Sequence, residues 1–471
     1  MNITLTKTDF LKYLNCDKSL WIQKNKPSSY KAPKKSIYEE KLSEEGYKVQ
    51  NELQKHLNNK PDAKQYSFEI TYETSDGLLS IADIVKENQD GTLNLYEVKS
   101  SGNINDNHII DATFQTITME KSGSKVKDIY IVHINKDYVR GEYLDISQMM
   151  EFSLVTNEVR NRIEELKISI KAALDLLNKP SIDETSCSCL KLGRSNHCES
   201  FDYFNSKIPK PSIYNLPRIT KNKIEFFSSD GRYGLENIKE DEVSSSQLKV
   251  LQSAKLKKPI ISKNLITSFF NMVKYPLYFF DFETYSSAIP IIKGVKPHAH
   301  IPFQFSLHVK KSINSSEYGH FEFLADNAEL PLKLIEYMEK VIGLKGSIIS
   351  WHKSFEITRN KEMADLYPDK SDFLNNINIR MIDLEDIFKD GYVDIQFGGS
   401  TSIKKVLPII TDLSYDDLEV ANGTDAMGAF IEMIDTKDNI KKMEIRKKML
   451  KYCERDTLAM VKVFEKMKEY T

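Results

Sequence analysis

Apolar and polar positions alternate in two rhythms along this chain, one helical and one strand-like. Residues 8–23 carry apolar side chains at helical spacing behind Thr6 and Thr8, either of which can cap, and a Lys/Pro/Ser loop follows. Helical periodicity returns over 38–57. Residues 66–72, 78–85 and 93–99 switch to a strand pattern, with Asp76-Gly77 and Asp90-Gly91 supplying the hairpin turns. A helix is expected over 109–121, an apolar β-branched strand over 126–135, and a long amphipathic helix over 151–178, closed by Lys179-Pro180.

A Pro-punctuated stretch at 208–218 marks a boundary. Residues 219–270 are expected to form a small hairpin and short helices. Strands at 277–280, 304–309, 321–324 and 347–351 then alternate with helices at 329–342 and 355–366, before a last helix over 437–470. The pattern implies an α/β protein with domains at 1–207 and 271–471, joined by a connector over 208–270. A chain of 471 residues exceeds what one core usually supports, which agrees with two domains.

Composition narrows the function little. Hydrophobic content of 40% and charged content of 28% are ordinary for a folded protein. With 66 basic and 68 acidic residues the formal charge is −2, which argues against a protein that coats polyanions through positive excess. A nuclease stays open, because an acidic metal site offsets basic residues along a groove. No apolar run spans a bilayer; the nearest, 260–280, is interrupted by Lys263 and Lys274. The first residues lack a basic region followed by an apolar core, so a cytoplasmic protein with reduced cysteines and no membrane partner is expected.

Candidate chemistry lies in both halves. Neighbouring strands would set Asp83 beside Glu97, two carboxylates suited to a hard cation such as Mg²⁺ or Mn²⁺. Lys99 projects from the same strand face as Glu97 and could stabilise charge on a scissile phosphate. An exposed hairpin can carry these residues without function, but apolar Leu93, Leu95, Tyr96 and Val98 point to a less solvated strand. The segment resembles the RecB-like nucleases of the PD-(D/E)XK class, which include CRISPR-adaptation and helicase–nuclease members. The resemblance implies a restriction-endonuclease-like mixed sheet with helices, metal held by Asp83 and Glu97, and catalytic roles for Lys99 and for Gln115 on the following helix.

It also implies an iron–sulfur cluster, since many members hold one with one cysteine near the start and three behind the core. Cys16, Cys187, Cys189 and Cys198 have that layout, although a single residue separates Cys187 from Cys189 where two are usual. Four thiolates can hold a 4Fe–4S cluster or Zn²⁺, and His197 can replace one of them. The bland reading is scattered core cysteines. The cluster's role would be structural, tying the domain's two ends together. An acidic residue on the first helices often accompanies the family's metal; Glu45 is a candidate, with Glu44 and Glu52 as competitors and a solvated helix face accounting for all three.

In the second half, Asp281 and Glu283 flank Phe282 at the end of an apolar strand and so share one face. Burying two like charges together is costly unless a cation joins them. Trp351 to Glu356 follows another apolar strand and opens a helix, and Tyr452 and Asp456 lie one helical turn apart on the last helix. A tyrosine and aspartate at that spacing are common on helix surfaces, but the three motifs in order resemble the DEDD 3′–5′ exonucleases. That class implies an RNase H-like α/β domain in which Asp281, Glu283, Glu356 and Asp456 hold two Mg²⁺ or Mn²⁺ ions and Tyr452 orients the attacking water. Glu356 stands where the class usually has aspartate, and Asp383 and Asp386 compete for its place.

Gly398-Gly399-Ser400 with Lys404 and Lys405 suits backbone approach to a phosphate, or equally a turn before a helix. With Asn422-Gly423, these segments are similar to a bacterial family of uncharacterised proteins in which an exonuclease-like domain follows a RecB-like nuclease. The expected function is a metal-dependent phosphodiesterase acting on nucleic acid, DNA ahead of RNA, in repair or defence against foreign DNA. The alternatives are an RNA-directed exonuclease and a catalytically reduced clamp that binds nucleic acid. Protein partners are not legible.

Overall fold

Two mixed α/β sheets organise the chain, each with its own helices and core. The computed structural model describes residues 4–32 and 37–471. Met1–Lys207 and Ser287–Ala299 form one unit; Ile208–Ser286 and His300–Thr471 form the other. Among the described residues no helix is long and apolar enough to cross a membrane.

The first unit runs β1 (Leu5–Thr6), α1 (Lys7–Asn15), α2 (Asp17–Asn25), α3 (Ile37–Asn58), β2 (Tyr66–Glu73), β3 (Leu78–Glu87), β4 (Leu93–Val98), α4 (Asp106–Lys121), β5 (Val126–Ile134), α5 (Ile146–Met149), β6 (Met150–Leu154), α6 (Thr156–Leu177) and α7 (Phe201–Phe204). Turn glycines Gly77 and Gly91 adopt positive φ, 93° and 74°, as the hairpins at those positions require. β2 covers one edge of β3 along its length. The other edge is shared: β1 pairs in parallel with Leu78 and Leu79, and β4 pairs antiparallel with 84–87. Asp83 lies in the gap between them, so Lys7, directly after β1, and Glu97, near the end of β4, converge on it.

Two helices depart from the pattern of the sequence. The helix over 8–23 is broken at Cys16, whose φ of −157° is extended; this caps α1, and the buried thiol joins three distant cysteines that local helix propensity does not encode. The helix over 151–178 starts only at Thr156, because Met150–Leu154 pairs with β5 and satisfies that strand's edge. Residues 287–299, although they follow a strand of the second unit, supply Ala288 to the core around Ile134, Tyr138 and Ile146.

The second unit contains α8 (Lys221–Ser229), α9 (Ser245–Leu256), β7 (Ile260–Ile261), α10 (Lys263–Met272), β8 (Leu277–Tyr285), β9 (Ile301–Lys310), β10 (Gly319–Leu324), α11 (Leu332–Val341), β11 (Ser347–Ser350), α12 (Ser354–Leu366), α13 (Ser371–Ile379), β12 (Met381–Asp383), β13 (Tyr392–Val393), α14 (Ile403–Ile410), α15 (Gly423–Asp435) and α16 (Asn439–Lys468). Its main sheet has the order β10-β9-β8-β11-β12, antiparallel across β10, β9 and β8 and parallel across β8, β11 and β12. Residues 208–270 cluster with this unit. The hairpin expected there does not form: β7 pairs instead with distant β13, a long-range partner invisible to local turn signals.

β9 alternates strictly. Phe305, Leu307 and Val309 enter a core with α11 and α13, while Gln304, Ser306 and His308 face α16. Because β8 pairs with β9 in register, Asp281 beside Ser306 and Glu283 beside Gln304, both acids also face α16.

Candidate metal centres

Asp281, Glu283 and Asp456 place carboxylate oxygens within 4.8 Å of one another. The pleat of β8 gives the first two a common face, and α16 brings Asp456 down onto it. They open on a cavity of about 440 Å³, also lined by His300, Trp351, Phe355, Glu356, Lys404, Gly423 and Tyr452. Burial, reinforced by Asp456 and by each other's charge, pushes the pKa values of Asp281 and Glu283 well above the carboxylate range. Burial also pushes Asp456 up, to about 6, against hydrogen bonds and cations that lower it. Ionising all three together in this buried setting is costly unless a cation joins them.

The surroundings hold the acids in place. Tyr415 donates its hydroxyl to Asp456 Oδ1 at 2.6 Å. Lys404 Nζ stands 5.4 Å from the Tyr415 ring centre and 5.5 Å from that of Tyr452. Burial lowers the Lys404 pKa, although Asp456 and Glu283 draw it back up. At Gly423, the first residue of α15, an added Cβ would lie 3.3 Å from Glu283 Oε2, so glycine lets the helix start come close to the acid.

Glu356 lines the same cavity but stands outside the tight group of three. Its Oε2 is buried without a hydrogen bond among the described residues, and burial raises its pKa to about 7. Of its two sequence competitors, Asp383 accepts hydrogen bonds from the backbone N–H groups of His352, Lys353 and Glu385, and Asp386 pairs with Lys389. Neither lines the cavity. In the glycine loop, Gly398 and Gly399 have positive φ, and Lys404 is the second residue of the helix that follows; Lys405 does not line the cavity.

In the first unit Asp83, Glu97, Lys99 and Gln115 come together. Glu97 Oε1 accepts from Lys99 Nζ and Lys7 Nζ, each at 2.8 Å, and its Oε2 accepts from Gln115 Nε2. Lys99 also pairs with Asp111 Oδ2 at 2.6 Å, and Asp83 Oδ2 accepts from the Val98 N–H at 2.8 Å. Burial works against the Glu97 charge, but Lys99 and Lys7 outweigh it and hold its pKa below the usual range. Burial and the neighbouring Glu97 raise Asp83 to about 7. Asp111 Oδ1 and Gln115 Oε1 are buried acceptors without a hydrogen bond among the described residues.

Glu45, of the three helix acids considered, accepts from the Ala288 N–H at 3.3 Å; Glu44 is exposed and Glu52 pairs with Lys55. On the same unit the sulfurs of Cys16, Cys187, Cys189 and Cys198 lie within 4.8 Å of one another, all buried, a set that could bind a metal. Asn205 donates to Cys187 Sγ at 3.4 Å. His197 stands outside the four, its Nε2 on the Leu192 carbonyl and its ring stacked on Phe201.

Residues 278–402 match a domain of unknown function, DUF2779. The match includes Asp281, Glu283 and Glu356 and ends before Lys404. The chain is similar to the uncharacterized protein MG366 of Mycoplasma genitalium, 29% identical over 221 residues, which is 42% of this chain and 33% of that protein. Its Mycoplasma pneumoniae homolog is 29% identical over 231 residues, 44% of this chain and 34% of the relative. The uncharacterized protein UU173 of Ureaplasma parvum is 27% identical over 245 residues, 46% of this chain and 33% of the relative. The chain thus spans about a third of the length of the curated relatives it matches.

Sequence reasoning missed Lys7, Asp111, Tyr415 and His300. Asp111 had a usable signal, four residues before Gln115 and so on the same helix face. Lys7, Tyr415 and His300 reach their sites through tertiary packing and carry no local signature.

Proposed function

We propose that the protein is a metal-dependent phosphodiesterase acting on nucleic acid, with a DEDD-type exonuclease centre in the second unit and a PD-(D/E)XK-type centre in the first. The observation that carries this reading is the convergence of Asp281, Glu283 and Asp456, buried with raised pKa values in an open cavity. An all-oxygen donor set of this kind fits Mg²⁺ or Mn²⁺, and the unpartnered Glu356 Oε2 offers a further acceptor. When bound, such ions supply water activation and stabilise the leaving 3′-oxygen.

The chain's own residues have separate tasks. Tyr452 orients the attacking water, Tyr415 fixes the Asp456 carboxylate, and Lys404 offsets phosphate charge at the cavity wall. Trp351 and Phe355 offer ring faces to a terminal base. In the first unit Asp83 and Glu97 supply carboxylates, Lys99 stabilises charge on the phosphate, and Gln115 and Lys7 hold Glu97 in place. DNA is the preferred substrate, RNA the alternative.

At the cysteines, the one-plus-three layout is that of a 4Fe–4S cluster, but thiolates on the four separate irons of a cubane stand farther apart than sulfurs that all lie within 4.8 Å of one another. A single Zn²⁺ is the other candidate: thiolates about 2.3 Å from a tetrahedral ion stand roughly 3.8 Å apart, inside the 4.8 Å limit seen here. Iron analysis with visible absorption separates the two.

The test is Mg²⁺- or Mn²⁺-dependent cleavage of single- and double-stranded DNA and RNA by wild type, Lys99→Ala, Asp281→Ala and the double mutant. One product pattern is expected to vanish in each single mutant. Binding of the oligonucleotides without cleavage by wild type would leave the clamp reading and remove both catalytic assignments.

A further inference from the structure

One strand away from Asp281, on the same sheet face, a second polar group meets α16. His308 on β9 and His320 on β10 are direct cross-strand partners, with ring centres 4.5 Å apart. Glu454 descends from α16, and the three residues place ligand atoms within 4.8 Å of one another. Two hydroxyls brace the rings. Thr457 Oγ1 bonds His308 Nδ1 at 2.8 Å, Ser306 Oγ bonds His320 Nε2 at 3.0 Å, and the hydroxyls bond each other at 2.7 Å. Each imidazole is thus held through one nitrogen, and among the described residues His308 Nε2, His320 Nδ1 and the Glu454 carboxylate make no hydrogen bond. A hydrogen bond to the remote ring nitrogen is how proteins orient a metal-ligating histidine.

We propose that His308, His320 and Glu454 form a further metal site, separate from the carboxylate centres and the cysteines, which takes a borderline divalent transition ion such as Zn²⁺. Two imidazoles with one carboxylate select such an ion over Mg²⁺, whose preference is for oxygen. Three protein ligands leave a fourth tetrahedral position for solvent, and this fits the setting: His308 is buried while His320 and Glu454 are half-exposed. Glu454 lies between Tyr452 and Asp456 in sequence, so an ion here joins α16 to β9 and β10 and fixes the helix that carries both. The site rests on its own geometry and does not depend on the phosphodiesterase reading.

The test is a Co²⁺ titration of the full chain with Mg²⁺ in excess to fill the carboxylate cavity, followed by elemental analysis and visible absorption. Wild type is expected to bind one equivalent more than Glu454→Gln or His320→Ala, and that equivalent should show d–d bands without a thiolate charge-transfer band. Glu454→Gln is nearly isosteric and half-exposed, so it keeps the fold, which circular dichroism checks. Equal uptake by wild type and both variants overturns the proposal. So does an extra equivalent with thiolate charge transfer, because that ion belongs to the cysteines.

Discussion

Asp83 and Glu356 are both pushed up to about 7, and Asp456 to about 6, with burial the largest cause in each. Raised carboxyl pKa values mean that the metal-free folded chain holds protons that the unfolded chain has released. Between the unfolded value of about 4 and the folded values near 7, stability therefore falls as pH rises. In chelator, the melting temperature should climb as pH is lowered from above 7 towards about 5, and Mn²⁺ should flatten or reverse that slope. A slope unaffected by Mn²⁺ would show that no cation relieves these groups. Gly423→Ala probes the same site sterically, since its Cβ would lie 3.3 Å from Glu283 Oε2. The fold should survive while Mn²⁺ binding weakens and cleavage drops by up to about 10²-fold, as for a displaced catalytic group. The acids on strands were legible because a two-residue period fixes which side chains share a face: Glu97 with Lys99, Asp281 with Glu283. Tyr415 was not, because it lies outside any helix or strand and meets Asp456 only in the folded chain.

At the scale of elements, periodicity found most helices and strands and failed where a long-range partner overrode local preference. The sequence around Cys16 continues a helix on both sides, yet the backbone opens there and the thiol joins three others. β1 has only two residues, too short for any pattern, yet its pairing with β3 delivers Lys7 to Glu97. The segment 208–270 reads as a connector because it opens on the Pro-punctuated stretch 208–218 and its pattern offers only a small hairpin and short helices. In the structure Gly399, at φ 78°, packs so tightly against it that a Cβ would lie 2.1 Å from the Asn215 carbonyl oxygen. Gly399→Ala should therefore destabilise the second unit by at least about 1–3 kcal/mol, read from urea unfolding. A neutral substitution would show that this contact is looser than the geometry states.

On the whole-molecule scale, the two units are not two consecutive stretches of chain. Ser287–Ala299 leaves the second unit after β8 and belongs to the first, where Arg140 exchanges backbone hydrogen bonds with Gly294 and Val295 and donates through Nη1 to the Pro290 carbonyl at 2.8 Å. His298 meets the Ser100 carbonyl at 2.8 Å, one residue beyond Lys99. A fragment ending at residue 207 would lack these contacts and leave the core around Ala288 open. It should melt below the corresponding transition of the full chain by calorimetry, and a fragment of equal stability would make the insertion dispensable.

The central claim is that the buried acids of the second unit are a metal centre that cuts phosphodiester bonds. Its most direct test follows a 5′-labelled single-stranded oligonucleotide with Mn²⁺, comparing wild type with Asp281→Asn, an isosteric change that removes one carboxylate. The account predicts a ladder shortening from the 3′ end in wild type and its loss, by about 10²-fold or more, in the variant. An identical ladder in both, or none in wild type, would contradict it.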